Sequence, residues 1–297
     1  MFQKIFAIIG FAVVTCITTN ISARINVVST IPDFGAIAKE IGQDKISVTA
    51  LVSPTQDPHF VDAKPSFATS LNRADLLLVT GMELEGGWLP PLVRNARNRA
   101  IAPGASGYVD CSRFIEAKDI RAVDRAQGDI HPGGNPHYWI DPRNGVHIAE
   151  GLMRVLVALA PEHKDFFEKN ALHFISSLKK KMSVWKQLLN ANGPRNVVVY
   201  HDSWTYFLDW AGYTQVGTLE PKPGVPPGGS HIAELIRKTR QQNVTLLLQE
   251  SFYPTNLSRL FTGKTGAKLK VLPTMTGAQG TTGYIDLINT MVKEIIK

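Results

Sequence analysis

Three histidines stand where a strand or a turn should end: His59 in Asp57-Pro58-His59, His137 in Asn135-Pro136-His137-Tyr138-Trp139, and His201 in Val197-Val198-Val199-Tyr200-His201-Asp202. The chemistry open to such a set is metal ligation. Separate rigid elements can deliver imidazoles around one ion without the close spacing of a zinc finger or of a helical His-x-x-x-His pair. A single histidine is ordinarily a surface or core residue, and the chain has eight. The reading therefore rests on the three together and on the elements that must carry them.

Those elements alternate. Ile25 to Val28 predicts a buried strand, Pro32 to Ile41 a helix stopped at Gly42, and Ile46 to Val52 an alternating strand. A short helix from Pro65 and a strand from Asp75 to Val79 follow. The same grammar returns later, with Asn196 to Tyr200 as strand, Trp204 to Ala211 as helix, Gly212 as stop, Thr214 to Leu219 as strand, Ser230 to Gln242 as helix and Val244 to Leu248 as strand. Strands alternating with helices imply parallel sheets with crossover connections. The order of elements repeats between the halves, although no sequence repeat is visible. Between them Phe167, Ala171, Phe174, Leu178, Met182, Trp185 and Leu189 recur at spacings of three and four from Pro161 to Gly193-Pro194, predicting one helix of about 30 residues, roughly 45 Å long. Two shorter helices would need a break that no Gly or Pro provides. The expected fold is α/β: two lobes, each a mainly parallel sheet flanked by helices, with an N-terminal lobe over 24–145, a helical connector over 146–193 and a C-terminal lobe over 194–297. A rigid connector implies only modest lobe movement.

In open parallel sheets ligands gather beyond the carboxyl ends of the strands. His201 directly follows a strand and His59 lies seven residues beyond Val52, so both belong to that edge. His137 sits in a Pro- and Gly-rich loop from His131 to Pro142 that suits the rim of a cleft.

The N-terminus sets the compartment. Lys4 is the only charge in an otherwise apolar and small-residue stretch that ends Ile21-Ser22-Ala23, which is the pattern of a secretory signal peptide over residues 1–23 cut after Ala23. The apolar run is shorter than the roughly 20 residues of a membrane span. Lipidation at Cys16 is the alternative, but Thr15 before it and the short apolar stretch ahead disfavour it. Removal of the signal leaves Cys111 as the sole cysteine, so an internal disulfide is excluded. The net charge of +7 falls by one with Lys4. The basic residues are scattered, and Lys179-Lys180-Lys181 fits a solvated helix face, so neither nucleic acid nor an anionic membrane is implied.

These residues resemble a known family, the zinc- and manganese-binding solute receptors of bacterial ABC transporters. The resemblance is carried by Asp57-Pro58-His59, by Asn135-Pro136-His137-Tyr138-Trp139-Ile140-Asp141-Pro142, by Tyr200-His201-Asp202, by Asn72-Arg73-Ala74-Asp75 leading to Gly81-Met82-Glu83-Leu84-Glu85-Gly86-Gly87-Trp88, and by Leu248-Gln249-Glu250-Ser251. It implies two α/β lobes joined by a backbone helix, one metal between them, a periplasmic monomer and an ABC permease of the inner membrane as partner. One departure matters. Many members carry a fourth ligand, an Asp, in a loop before the last helix, where this chain reads Leu272-Pro273-Thr274-Met275-Thr276-Gly277. Asp286 lies beyond it, on the expected last helix. Glu250, at a strand end in the second lobe, is the substitute, either as a ligand or as an acceptor that orients a ligating imidazole.

Three imidazoles with at most one carboxylate suit zinc, whereas manganese favours more oxygen. An open fourth position is also the pattern of a catalytic zinc. A zinc hydrolase is thus the competing class, although no His-Glu-x-x-His helix, Gly-x-Ser-x-Gly elbow or phosphate loop is present. A manganese receptor or an adhesin of the same fold is the alternative within the family. Asp57, Asp141 and Asp202 are expected to cap turns or to bond a His, and Glu83 and Glu85 to pack around Trp88. His131 reads either as a simple loop residue or as the remainder of a His-rich loop. His147, His163, His173 and His231 fall on expected helices, and Lys222 to Ser230 is expected to form a stiff connector or a mobile rim.

Overall fold

The computed structural model describes residues 24–120, 131–222 and 224–297; the expected signal peptide and Cys16 lie outside them. Four strands, β1 (Ile25–Ser29), β2 (Ile46–Ala50), β3 (Leu76–Val79) and β4 (Tyr108–Asp110), form a parallel sheet in the order β2-β1-β3-β4. A second parallel sheet repeats that order as β6-β5-β7-β8, built from β5 (Asn196–Val199), β6 (Thr214–Thr218), β7 (Leu246–Glu250) and β8 (Lys268–Leu272). Crossovers are made by α1 (Pro32–Gly42), α2 (Pro65–Asn72) and α3 (Leu89–Ala96) in the first lobe, and by α6 (Thr205–Ala211), α7 (Gly229–Gln241) and α8 (Asn256–Thr265) in the second. The central β3 and β7 are buried along their whole length, as strands covered on both faces must be. The two-lobed α/β expectation is borne out, with two edge strands, the three-residue β4 and the five-residue β8, added to it.

Two helices join the sheets. Asp141 caps α4 (Pro142–Leu159) by accepting the Arg143 amide at 2.8 Å. After a single 3-10 turn at Pro161–His163, α5 (Lys164–Asn192) runs unbroken for 29 residues, about 44 Å. The C-terminal α9 (Tyr284–Ile296) returns to pack on α5, and it also reaches α1 and β8. The buried stripe of α5 includes Phe167, Phe174, Leu178, Trp185 and Leu189. Its polar contacts reach both lobes: Asn170 donates to the Ile41 carbonyl at 3.0 Å, and Lys186 to the Trp210 carbonyl at 2.5 Å. One hydrophobic core runs from β1 through α5 to β7 and α9, while a smaller one around Val198, Leu235 and Phe261 lies on the far side of the second sheet. A core shared by both lobes opposes a wide hinge opening.

A single glycine sets how closely the connector meets the last helix. A Cβ on Gly145 of α4 would stand 2.5 Å from the Tyr284 ring, and the Tyr284 hydroxyl donates to the Trp139 carbonyl at 2.6 Å. The turn just before α4 is thereby tied to the C-terminal helix.

Asp33, in the first turn of α1, pins the first lobe to the loop after β8. Its Oδ1 accepts the Thr276 amide at 3.1 Å and the Thr276 hydroxyl at 2.9 Å, and its Oδ2 is buried without a partner. Burial outweighs these hydrogen bonds and pushes the carboxyl up from 3.8 to about 7. A value raised on folding favours the folded state below the unfolded pKa, and that contribution is lost as pH rises through about 7. Asp33→Asn keeps an acceptor and removes the charge. Its Tm relative to the parent should therefore rise between about pH 5 and pH 8, by several degrees at the upper end; a pH-independent difference would contradict a protonated buried carboxyl.

Candidate metal centre

His59, His137 and His201 converge, with one nitrogen of each lying within 4.8 Å of the others and all three residues buried. Ring centroids stand 5.0 Å apart for His59 and His137, 5.1 Å for His137 and His201, and 5.3 Å for His59 and His201. A zinc–nitrogen bond of about 2.0–2.1 Å puts an imidazole centroid about 3.2 Å from the ion, and tetrahedral corners at that radius are about 5.2 Å apart. The three rings thus already have the separations of three corners of a four-coordinate site.

Each ring is held from behind. The loop after β2 brings His59 into place, where its Nδ1–H donates to Asp57 Oδ1 at 2.7 Å and its amide donates to the same oxygen at 3.0 Å. Trp88 fixes that loop by donating to the Pro58 carbonyl at 3.0 Å. His137 uses the same local device two residues on from Asn135, whose Oδ1 accepts its amide at 3.0 Å and its Nδ1–H at 2.9 Å. Asn135 in turn donates to the Asp202 carbonyl across the cleft at 2.7 Å. His201, two residues past β5, donates Nδ1–H to Glu220 at 2.8 Å, and Glu220 lies two residues past the neighbouring β6. An acceptor at Nδ1 fixes the tautomer, so the lone pair of each ring is on Nε2, the atom left to face the others. His59 Nε2 is buried with no hydrogen-bond partner.

The Asn135 to Pro142 block is anchored on three sides. Tyr138 donates to the Thr80 carbonyl at the end of β3 at 2.6 Å, Trp139 donates to the Thr274 carbonyl of the second lobe at 2.7 Å, and Asp141 caps α4. His137 is therefore set against both lobes at once.

The surroundings favour positive charge at one end of the cluster. Burial opposes protonation of His201, but the Glu220 hydrogen bond and the nearby charges of Glu250, Glu220 and Asp57 outweigh it and raise its pKa. His137 moves the other way, well below 6.5, through burial and then the neighbouring imidazoles. Glu250 closes β7 at 1% exposure. One of its oxygens accepts the Ser203 hydroxyl, the other is buried without a partner, and burial pushes the carboxyl up to about 7 despite His201. With His137, His201 and Tyr253 it lines a space of about 10 Å³, room for about one water-sized sphere. Among the described residues, the tight cluster holds the three histidines and not Glu250.

Other residues take positions that the sequence only bracketed. His131 lies beside the cluster, its ring 5.3 Å from His59 and 6.5 Å from His137, with Nδ1–H donating to the Met82 carbonyl at 2.9 Å. His147 and His173 are exposed on helices, His163 is half-buried in the turn before α5, and His231 bonds the Thr218 carbonyl at 2.9 Å. Asp286 accepts from Thr282 at the start of α9. Glu85 is buried and accepts from Thr30 and from the Thr80 and Gly81 amides, bracing the end of β3. Glu220 was not foreseen. Its place just beyond a strand end, on the edge that carries His201, was the available signal.

The profile of the family described as Zinc-uptake complex component A periplasmic, ZnuA, matches residues 27–297. The chain belongs to this family. The manganese ABC transporter substrate-binding lipoprotein PsaA of Streptococcus pneumoniae is 30% identical over 237 residues, covering 77% of this chain and 73% of that protein. The high-affinity zinc uptake system protein ZnuA of Bacillus subtilis is 22% identical over 271 residues, covering 89% and 84%. In fold, the chain is similar to a zinc-bound deletion mutant of ZnuA, with a TM-score of 0.78, 22% identity, and 92% and 97% of the two chains covered. A manganese-bound periplasmic metal binding protein from Candidatus Liberibacter asiaticus gives 0.76, with 20% identity and 91% and 97% covered. The family expected from the motifs is thus the family found. No helix among the described residues is long and apolar enough to cross a membrane.

The opposed shifts order the imidazoles. In metal-free protein, ring-proton NMR titration should show His201 protonating at higher pH than His137, with His137 still neutral where a free imidazole, of pKa about 6.5, is mostly charged. The reverse order would contradict the placement of Glu220 and Glu250 around His201.

Proposed function

We propose that this protein is a periplasmic receptor that captures a divalent metal ion, zinc in preference to manganese, and delivers it to an ABC permease in the inner membrane. The observation that carries this reading is the set of three buried imidazoles at tetrahedral spacing, each with Nδ1 engaged and Nε2 left for the ion. The names of the relatives divide between zinc and manganese, so the choice rests on the donor set. Three neutral nitrogens suit zinc; manganese favours oxygen, and no carboxylate stands in the Leu272 to Gly277 loop. His59, His137 and His201 are the ligands in this account. Glu250 supplies negative charge beside His201, and Asp57 and Glu220 supply it one hydrogen bond behind two of the rings, which together offset the dication.

Export follows from the signal peptide over 1–23, and the chain acts as a monomer with lobes over 24–145 and 194–297 joined by the connector over 146–193. The reading as a hydrolase has only the open fourth position in its favour, since the sequence carries no His-Glu-x-x-His helix, Gly-x-Ser-x-Gly elbow or phosphate loop.

Chelator-competition calorimetry tests the proposal. Zinc should bind more tightly than manganese. His59→Ala, His137→Ala and His201→Ala should each weaken zinc by 100-fold or more on the order-of-magnitude scale of lost ligands, and Glu250→Gln by about tenfold, the scale of a supporting group. Manganese outcompeting zinc would overturn the metal assignment. Zinc binding that survives all three alanine variants would overturn the site, and ester or peptide turnover abolished by chelation would overturn the receptor reading.

A further inference from the structure

We infer that Tyr253 is a positioning residue, one that ties the first-lobe ligand His59 to the second lobe by holding Asp57 across the cleft. The inference rests on the proposed ligand role of His59. Asp57 has two oxygens with separate tasks: Oδ1 takes the His59 amide and Nδ1–H, while Oδ2 accepts the Tyr253 hydroxyl at 3.0 Å. The two residues are 196 positions apart. Among the hydrogen bonds of the described residues, the Tyr253 bond is the one that holds the Asp57–His59 pair from the second lobe.

Tyr253 is itself fixed by its own lobe. It lies in the turn after β7, where its amide donates to the Glu250 carbonyl at 3.3 Å and its carbonyl accepts from Gln249 at 2.8 Å. Its ring stacks on Tyr200 with centroids 4.7 Å apart at 26°, and stands 5.9 Å from the His201 ring. One side chain therefore lies beside a second-lobe ligand ring and bonds, through its hydroxyl, the carboxylate behind a first-lobe ligand. The stack needs only the ring; the hydroxyl has Asp57 as its partner. Loss of the Tyr253–Asp57 bond leaves Asp57 Oδ2 without its second-lobe donor and the acceptor behind His59 less firmly held, which weakens the grip on the ion.

Tyr253→Phe keeps the stack and removes the bond. Zinc release into excess chelator, followed by stopped flow, should be about tenfold faster than in the parent, the lower end of the range for a group supporting a ligand. In an Asp57→Asn background the same substitution should change the rate less than about twofold, because its effect runs through the Asp57 carboxylate. Release at the parent rate, or an equal acceleration with and without Asp57, would overturn the inference while leaving the receptor reading intact. A parent protein that holds no zinc would overturn that reading and this one with it.

Discussion

Imidazole lone pairs gathered within 4.8 Å of one another repel, and burial removes the water that would otherwise solvate them. The rings stay together only because the chain grips each from behind through Nδ1. Asp57 and Asn135 do this locally, each two residues before its histidine and each also taking that histidine's backbone amide. Glu220 does it from a neighbouring strand end. The grip fixes both the tautomer and the direction of the ring, and it places negative charge where a bound dication would call for it. The raised pKa of His201 is the same preference for positive charge, expressed toward a proton in the metal-free protein.

The architecture supplies the platform for that grip. Two sheets with the same strand order present their carboxyl edges to one cleft, so loops after β2, β5, β6 and β7 arrive from opposite sides with their key side chains already aimed inward. The block from Asn135 to Pro142 closes the arrangement by fastening Tyr138 to the first lobe and Trp139 to the second. A long helix and a shared core then keep the two edges in register. The cost of holding buried polar groups together is thus met by many ordinary packing contacts, and the one cysteine among the described residues, Cys111, is a free buried thiol.

Much of this was legible because local patterns set it. The strands that begin at Ile25, Ile46, Asn196 and Thr214 and the long helix, expected from Pro161 and starting at Lys164 after one 3-10 turn, follow directly from apolar periodicity and from Gly and Pro stops, and His59 and His137 carry their acceptors within two residues. What escaped is long-range. The bond from His201 to Glu220 spans 19 positions and the one from Tyr253 to Asp57 spans 196, and no local pattern encodes either. The strands β4 and β8 are short or charged edges with weak apolar signal: Lys268 and Lys270 interrupt one, and the other has three residues. His131 stood open in the sequence between a simple loop residue and the remainder of a His-rich loop, because the bond that holds it beside the cluster goes to the Met82 carbonyl, 49 positions away. The roles of Glu250 as ligand and as supporting charge were equally open in the sequence. Its carboxylate bonded to Ser203 lies outside the tight cluster, which favours the supporting role.

The central claim is that the three histidines hold the ion through their Nε2 atoms. X-ray absorption at the zinc edge of protein loaded with one equivalent of zinc addresses it directly. The account predicts at least three imidazole nitrogens at about 2.0–2.1 Å, with the multiple-scattering pattern of intact rings. A first shell with one imidazole or none, made up instead of oxygens, would contradict it.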